Sequence, residues 1–193
     1  MARNDERRRR LLDAAIRVLA ESGARGLTHR AVDAEAEVPT GTASNYFRTR
    51  DALIAQLFER ISQRLEPDAE VLARLARRKP SRRLFADYMR HIVERLSRER
   101  DVTLALFELR LESARTPAVA ERLGAWRRAG FAADVEFNQR ARLPGGRPEI
   151  ALFHYALDGL MLDRLTVSID PMTSADEVID ALVAGLLRER PLR

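Results

Sequence analysis

Along most of the chain, apolar residues recur at the i, i+3, i+4 spacing of a helix that buries one face. Leu11, Leu12, Ala15, Ile16, Val18 and Leu19 mark a first helix over about residues 5–21, with Gly23 beyond it as a C-terminal stop. Thr28 is an N-cap residue, and Leu27 and Val32 stand at the hydrophobic-staple spacing of a short helix over residues 29–36. Glu37 and Val38 form a turn, and Pro39 opens a second short segment that ends at Tyr46 and Phe47. Thr49 then caps a longer helix whose stripe is Leu53, Ile54, Leu57, Phe58, Ile61 and Leu65.

Past residue 65 the same spacing continues between clear breaks. Pro67 and Pro80 bracket a weaker helical segment. Ser81 opens a helix bearing Leu84, Phe85, Tyr88, Met89, Ile92, Val93 and Leu96. Asp101 opens another with Leu104, Phe107, Leu109 and Leu111, and Thr116-Pro117 a third with Leu123, Trp126, Phe131 and Val135. Residues 144–148, Pro-Gly-Gly-Arg-Pro, are the plainest loop. A helix with Leu152, Phe153, Tyr155, Ala156, Leu160, Leu162 and Leu165 follows. Ser174 and Glu177 then make a capping box for a last helix that Pro191 stops. The pattern predicts nine or ten helices, an all-α fold.

Composition narrows the function. The 193 residues are 46% hydrophobic, enough for a core without staples, and contain no cysteine. Disulfides, thiolate metal sites and a cysteine nucleophile are therefore excluded. No apolar run is long enough to span a membrane, and Asp13 and Arg17 interrupt the only stretch that follows the N-terminal arginines, so a cytoplasmic protein is expected. The net charge of +5 permits nucleic-acid binding without demonstrating it. His29, His91 and His154 are too scattered for a short metal motif, and no paired catalytic groups or phosphate-cradling loop occur. We expect neither an enzyme nor a cofactor.

Residues 28–47 are the informative stretch. Its second short helix carries Thr40, Gly41, Thr42, Ala43, Ser44 and Asn45, which are small and polar rather than amphipathic. Such a helix suits a DNA major groove: small side chains allow close approach, and Asn pairs bidentately with adenine. Tyr46 and Arg50 are spaced to meet flanking phosphates. Each residue also has a plain structural role open to it. Thr28 caps a helix with or without DNA, Arg30 suits a solvated face, and Phe47 reads as core with Tyr46 at the surface.

Gly26-Leu27-Thr28, Val32, Ala36, Val38, Gly41-Thr42, Tyr46-Phe47, Arg50 and Leu53 together resemble the TetR family of bacterial transcription regulators over about residues 5–65. The resemblance implies a three-helix helix-turn-helix domain over residues 1–65 and a larger helical effector-binding and dimerisation domain over residues 66–193. It implies DNA contacts from Thr28, His29, Arg30, Thr40, Gly41, Thr42, Ser44, Asn45, Tyr46 and Arg50, with Arg30 on guanine and Thr28, Tyr46 and Arg50 on phosphates. The sequence departs from the family pattern at Asp33 (usually Ala), at Glu37 (usually the Gly of the turn), at Ser44 (usually aromatic) and at Arg50 (usually Lys). Glu37 predicts strain at the turn.

The same resemblance implies a cavity for a small-molecule effector, with Tyr88, His91, Phe107, Glu108, Trp126 and His154 as lining. On sequence alone these aromatics read equally as core, the histidines as hydrogen-bonded core residues, and Glu108 and Glu112 as ion-pair partners near Arg115. Tyr155, Ala156, Gly159 and Leu160, with Leu182, Gly185 and Leu186, alternate small and large residues at helical spacing. Two such helices from each of two subunits make a four-helix homodimer interface; packing within one chain is the alternative. The expected function is a regulator of double-stranded DNA at a palindromic operator, a repressor released by its effector. A non-catalytic helical interaction protein is the alternative.

Overall fold

The computed structural model describes residues 2–187, and the expected stop at Pro191 lies outside them. Ten α-helices and no strand occur among these residues, so the fold is all-α. They group into two compact units. The first joins residues 1–66 to residues 99–127, and the second joins residues 67–98 to residues 128–193.

The first unit is built from α1 (Ala2–Gly26), α2 (His29–Glu35), α3 (Thr42–Tyr46), α4 (Arg50–Arg64), α7 (Arg100–Ser113) and the leading half of α8 (Pro117–Arg140). Gly23 breaks the helical path of α1 with φ 67°, a left-handed angle that glycine reaches without a Cβ clash. All six stripe residues expected of α1 are buried, against Val32, Ala36, Phe47, Leu53, Leu57 and Ile61. Of the residues α7 was expected to bury, Leu109 is buried, but beside it the helix buries Val102, Thr103 and Ala105 in place of Leu104, Phe107 and Leu111. Leu111 stands 57% exposed. A partly buried charge network ties α1 to α4: Asp13 accepts two hydrogen bonds from Arg60, both 2.8 Å, and one from Arg64 at 3.1 Å. Arg64 also bonds Glu99 at 2.9 Å through Nε.

The second unit comprises α5 (Ala69–Ala76), α6 (Arg82–Arg98), the trailing half of α8, α9 (Arg147–Leu165) and α10 (Ala175–Leu186). Local caps set these boundaries. Asp68 accepts from the backbone of Glu70 and Val71, Ser81 from Leu84, and Ser174 forms the expected capping box with Glu177. Phe85 of α6 packs on Phe153 of α9 with ring centroids 4.7 Å apart. Arg90 of α6 reaches Asp176 and Asp180 of α10. No helix among the described residues is long and apolar enough to cross a membrane.

Candidate functional site

The segment singled out in the sequence forms two short helices in the first unit. Thr28 Oγ1 accepts from Ala31 N at 3.1 Å and so caps α2 through a lone pair, which leaves its hydroxyl hydrogen for another acceptor. After α2 the chain turns at Glu37, whose φ of 53° is the strained left-handed angle expected there. Gly41, at φ 94°, opens α3.

Asp33 explains why so short a helix holds its place. The residue lies on α2 and is only 2% exposed. Its Oδ2 accepts from Gly41 N at 2.7 Å and its Oδ1 from Ala43 N at 2.6 Å. A carboxylate on one helix thereby caps the start of the next, satisfying backbone donors that a five-residue helix cannot pair internally. The departure from family pattern at this position is a fastening between the two helices.

On the outer side of α3, Thr40, Ser44 and Asn45 are exposed, and Thr42 and Gly41 are half-buried. Ala43 and Phe47 face the core. Two hydroxyls are already engaged: Thr42 Oγ1 donates to Pro39 O at 2.5 Å, and Ser44 Oγ to Gly41 O at 2.9 Å. They therefore present lone pairs outward unless they rotate. Thr28 and Arg30 are exposed, and His29 is half-buried. Tyr46 packs partly on the core, and the Arg8 guanidinium stands 6.0 Å from its ring centroid, within cation–π range.

Arg50, expected on a phosphate, is bonded within its own unit. Its guanidinium donates to Ala24 O at 2.7 Å and lies 3.6 Å from Glu112 of α7. The α1 end carbonyl and a carboxylate of 13% exposure tie it to the unit, with its own side chain 37% exposed. The exposed cation at this corner is Arg48, which sequence reading paired with Arg50 without assigning it a contact.

The expected effector residues divide between the units. Phe107, Glu108 and Trp126 belong to the first and Tyr88, His91 and His154 to the second. Two of the first group have structural work there. Glu108 Oε2 accepts from Ala24 N at 3.4 Å, beside the α1 break, and Trp126 Nε1 donates to Ser62 Oγ at 2.7 Å with its ring against Phe58. In the second unit Tyr88 meets Phe137 edge-on at 5.1 Å. His154 Nε2 lies 3.0 Å from Asp134 Oδ2 and its ring 5.5 Å from Phe131. His91 is 8% exposed. Arg95, one turn further along α6, was missed. Its only sequence signal is its i+7 spacing from Tyr88.

The residues expected at the dimer interface fall on different faces of α9 and α10. Leu160 is 8% exposed and faces its own chain's core, because its neighbours Phe153, Leu157 and Met161 define the inward face of α9. Tyr155, at 68% exposure, and Gly159 lie on the opposite face with Leu152 and Leu162, which sequence reading left out of the interface. On α10, Gly185 is exposed and Leu182 and Leu186 are half-buried, as is Ala156 on α9.

A capped helix, a tight turn and an exposed second helix, inside an all-α chain with a second helical unit, define a helix-turn-helix DNA-binding regulator. The chain belongs to the TetR family of transcriptional regulators: the model of bacterial regulatory proteins of the tetR family matches residues 11–57, and that of the tetracyclin repressor-like C-terminal domain matches residues 80–189. Among solved structures, the chain is similar to the multidrug binding protein EbrR complexed with imidazole (29% identity, 95% of this chain and 96% of that chain, TM-score 0.64). It is similar also to EbrR complexed with proflavin (30% identity, 93% and 99%, TM-score 0.59). A member of the TetR family from Streptomyces coelicolor A3 matches at 27% identity over 95% of this chain and 99% of that chain, with TM-score 0.67. No curated protein matches the chain.

Proposed function

We propose that the protein is a homodimeric repressor that binds a palindromic operator in double-stranded DNA and is released by a small-molecule effector held in its C-terminal region. The observation that carries this reading is the outer face of α3. Its hydroxyl and amide side chains are exposed while Asp33 and Phe47 hold the helix from behind. Asn45 and Arg30 are the base readers, Asn45 for adenine and Arg30 for guanine O6 and N7. Thr28, through its free hydroxyl hydrogen, and Arg48 meet phosphates. His29, Gly41, Thr42, Ser44 and Tyr46 line the approach.

The second unit supports homodimerisation. Leu152, Tyr155, Gly159 and Leu162 make an exposed apolar stripe on α9, and on the neighbouring α10 Ala181 and Gly185 are exposed and Leu182 half-buried. Such surfaces on two adjacent helices suit an isologous four-helix contact. Two copies of α3 then address half-sites roughly 34 Å apart. An effector that binds one half-site spacing better than another shifts the population by its differential affinity, and reversal of the equilibrium needs about 5.5 kcal/mol. EbrR binds imidazole and proflavin, and that likeness supports a small molecule as the effector here.

The test is selection of bound sequences from random DNA, followed by fluorescence anisotropy on the winner. A palindrome bound with a steep salt dependence is the expected result. Arg30→Ala and Asn45→Ala should each lose specificity at one base pair per half-site, at about 1–3 kcal/mol. Recovery of no preferred sequence rejects the proposal.

A further inference from the structure

The second unit carries a cluster of buried nitrogens that the fold leaves without hydrogen-bond partners. Tyr88, His91 and Arg95 stand at i, i+3 and i+7 on α6 and share one helix face. His91 is buried at 8% exposure, and neither its Nε2 nor the Nε of Arg95 meets solvent or any hydrogen-bond partner among the described residues. An arginine near a surface ordinarily buries its stem and leaves its head in water. Here the buried Nε belongs to the head.

The neighbouring charges are engaged elsewhere. The carboxylate whose field reaches Arg95 is Asp134 on α8, and it is hydrogen-bonded to His154. Arg98 adds like charge. Around His91 stand Arg95, Arg98, Glu94 and Asp68. Asp68 caps α5, and Glu94 is exposed. Burial holds the Arg95 guanidinium below its ordinary range, and burial together with Arg95 holds the His91 imidazole below its own. A buried N–H without an acceptor is costly, and a planar guanidinium is matched to a bidentate oxyanion. Two turns back along α6, Tyr88 meets Phe137 edge-on and supplies an aromatic surface.

We propose that the effector is an organic acid with an aromatic or apolar body, its acid group held by Arg95 and His91 on α6 and its body against Tyr88 and Phe137. This rests on the reading that the C-terminal region binds an effector, and it adds the charge that effector must carry. Arg95 makes the forked contact. His91, neutral at physiological pH, supplies one further polar atom.

Two fluorophores of nearly one shape separate the possibilities: anilinonaphthalene sulfonate, an aromatic anion, and N-phenylnaphthylamine, its neutral counterpart. Each is titrated into the full-length protein, and melting is followed by circular dichroism. The sulfonate should bind one saturable site per chain about tenfold more tightly than the neutral probe, the effect of one charge-assisted hydrogen bond. Arg95→Gln should remove that difference while leaving the neutral probe's affinity unchanged, and Arg95→Lys should keep part of it. Ligand-free Arg95→Gln should melt no lower than the parent protein, because the substitution removes a buried N–H that has no acceptor.

Equal affinities for the two probes in the parent protein overturn the anionic assignment and leave the effector reading standing. A lower melting temperature for Arg95→Gln with an unchanged affinity ratio makes Arg95 a structural residue and also overturns it. Saturable binding of neither probe removes the effector reading and this proposal together.

Discussion

Replacement of Asp33 by alanine tests whether α3 is held in reading position by a carboxylate behind it. The substitution removes the acceptor of two short bonds, 2.6 Å to Ala43 N and 2.7 Å to Gly41 N, from a side chain only 2% exposed. Hydrogen bonds to a charged group contribute roughly 1.5–3 kcal/mol each, and two give a gross loss of about 3–6 kcal/mol. Two effects reduce it. The carboxylate no longer has to be desolvated, and Gly41 is only half-buried, so water can reach its N–H. A net destabilisation of about 2 kcal/mol remains, equivalent to a melting temperature lower by about 4–8 °C. The larger effect falls on DNA. Once α3 frays, operator affinity falls by the fraction of molecules with both copies docked, which we set at tenfold or more, on the order of 1.4 kcal/mol. The substitution Asp33→Asn should fare no better, since the new amide turns a donor toward one of the two N–H groups. The assays are thermal unfolding by circular dichroism and anisotropy on the selected operator. Wild-type affinity together with a wild-type melting curve for Asp33→Ala would refute the fastening.

Four further outcomes follow from the geometry. Arg48→Ala should lower the slope of log affinity against log salt by about one per half-site, whereas Arg50→Ala should lower the melting temperature and leave that slope alone, since Arg50 is bonded to Ala24 O. Glu37→Gly should stabilise the protein by about 1 kcal/mol in chemical denaturation by relieving a left-handed backbone; its ion pair with Arg10, 3.5 Å long with Glu37 89% exposed, offsets little of this. Tyr155→Arg should turn the dimer into monomers in sedimentation and abolish cooperative operator binding, because a charge on the exposed α9 stripe cannot be desolvated between two copies. His91, whose folded-state pKa is depressed by burial and by Arg95, contributes stability that is complete above its ordinary value of 6.5 and is lost as pH falls toward the folded value. His91→Gln should therefore flatten the melting temperature between about pH 7 and pH 5.

Much of the helix-turn-helix could be read directly because its signals are local. Thr28, Thr49 and Ser174 cap helices through bonds three residues along, and such bonds depend on nothing distant. The stripe of α1 repeats at 3.6 residues, and every member expected to be buried is buried. Glu37 announced a strained turn by standing where a glycine fits. Asp33 was legible only as an oddity. Its partners are eight and ten residues away across a turn, and no spacing rule says toward which backbone a buried carboxylate points. The same limit explains Arg50, whose partners are 26 and 62 positions distant. It also explains Trp126, which bonds a serine 64 positions earlier.

The order and number of the helices, their caps and the polar face of α3 are properties of the amino-acid sequence itself, because each is written within one or two turns of chain. Which face of α9 turns inward, which arginine at the start of α4 is bonded within its own unit, and which buried nitrogens go without a partner were decided only in three dimensions. An amphipathic pattern states that a residue is apolar or charged. Its environment is set by whichever distant segment packs against it, and in this chain Glu108, Glu112 and Ser62 supply that environment for groups far from them in sequence.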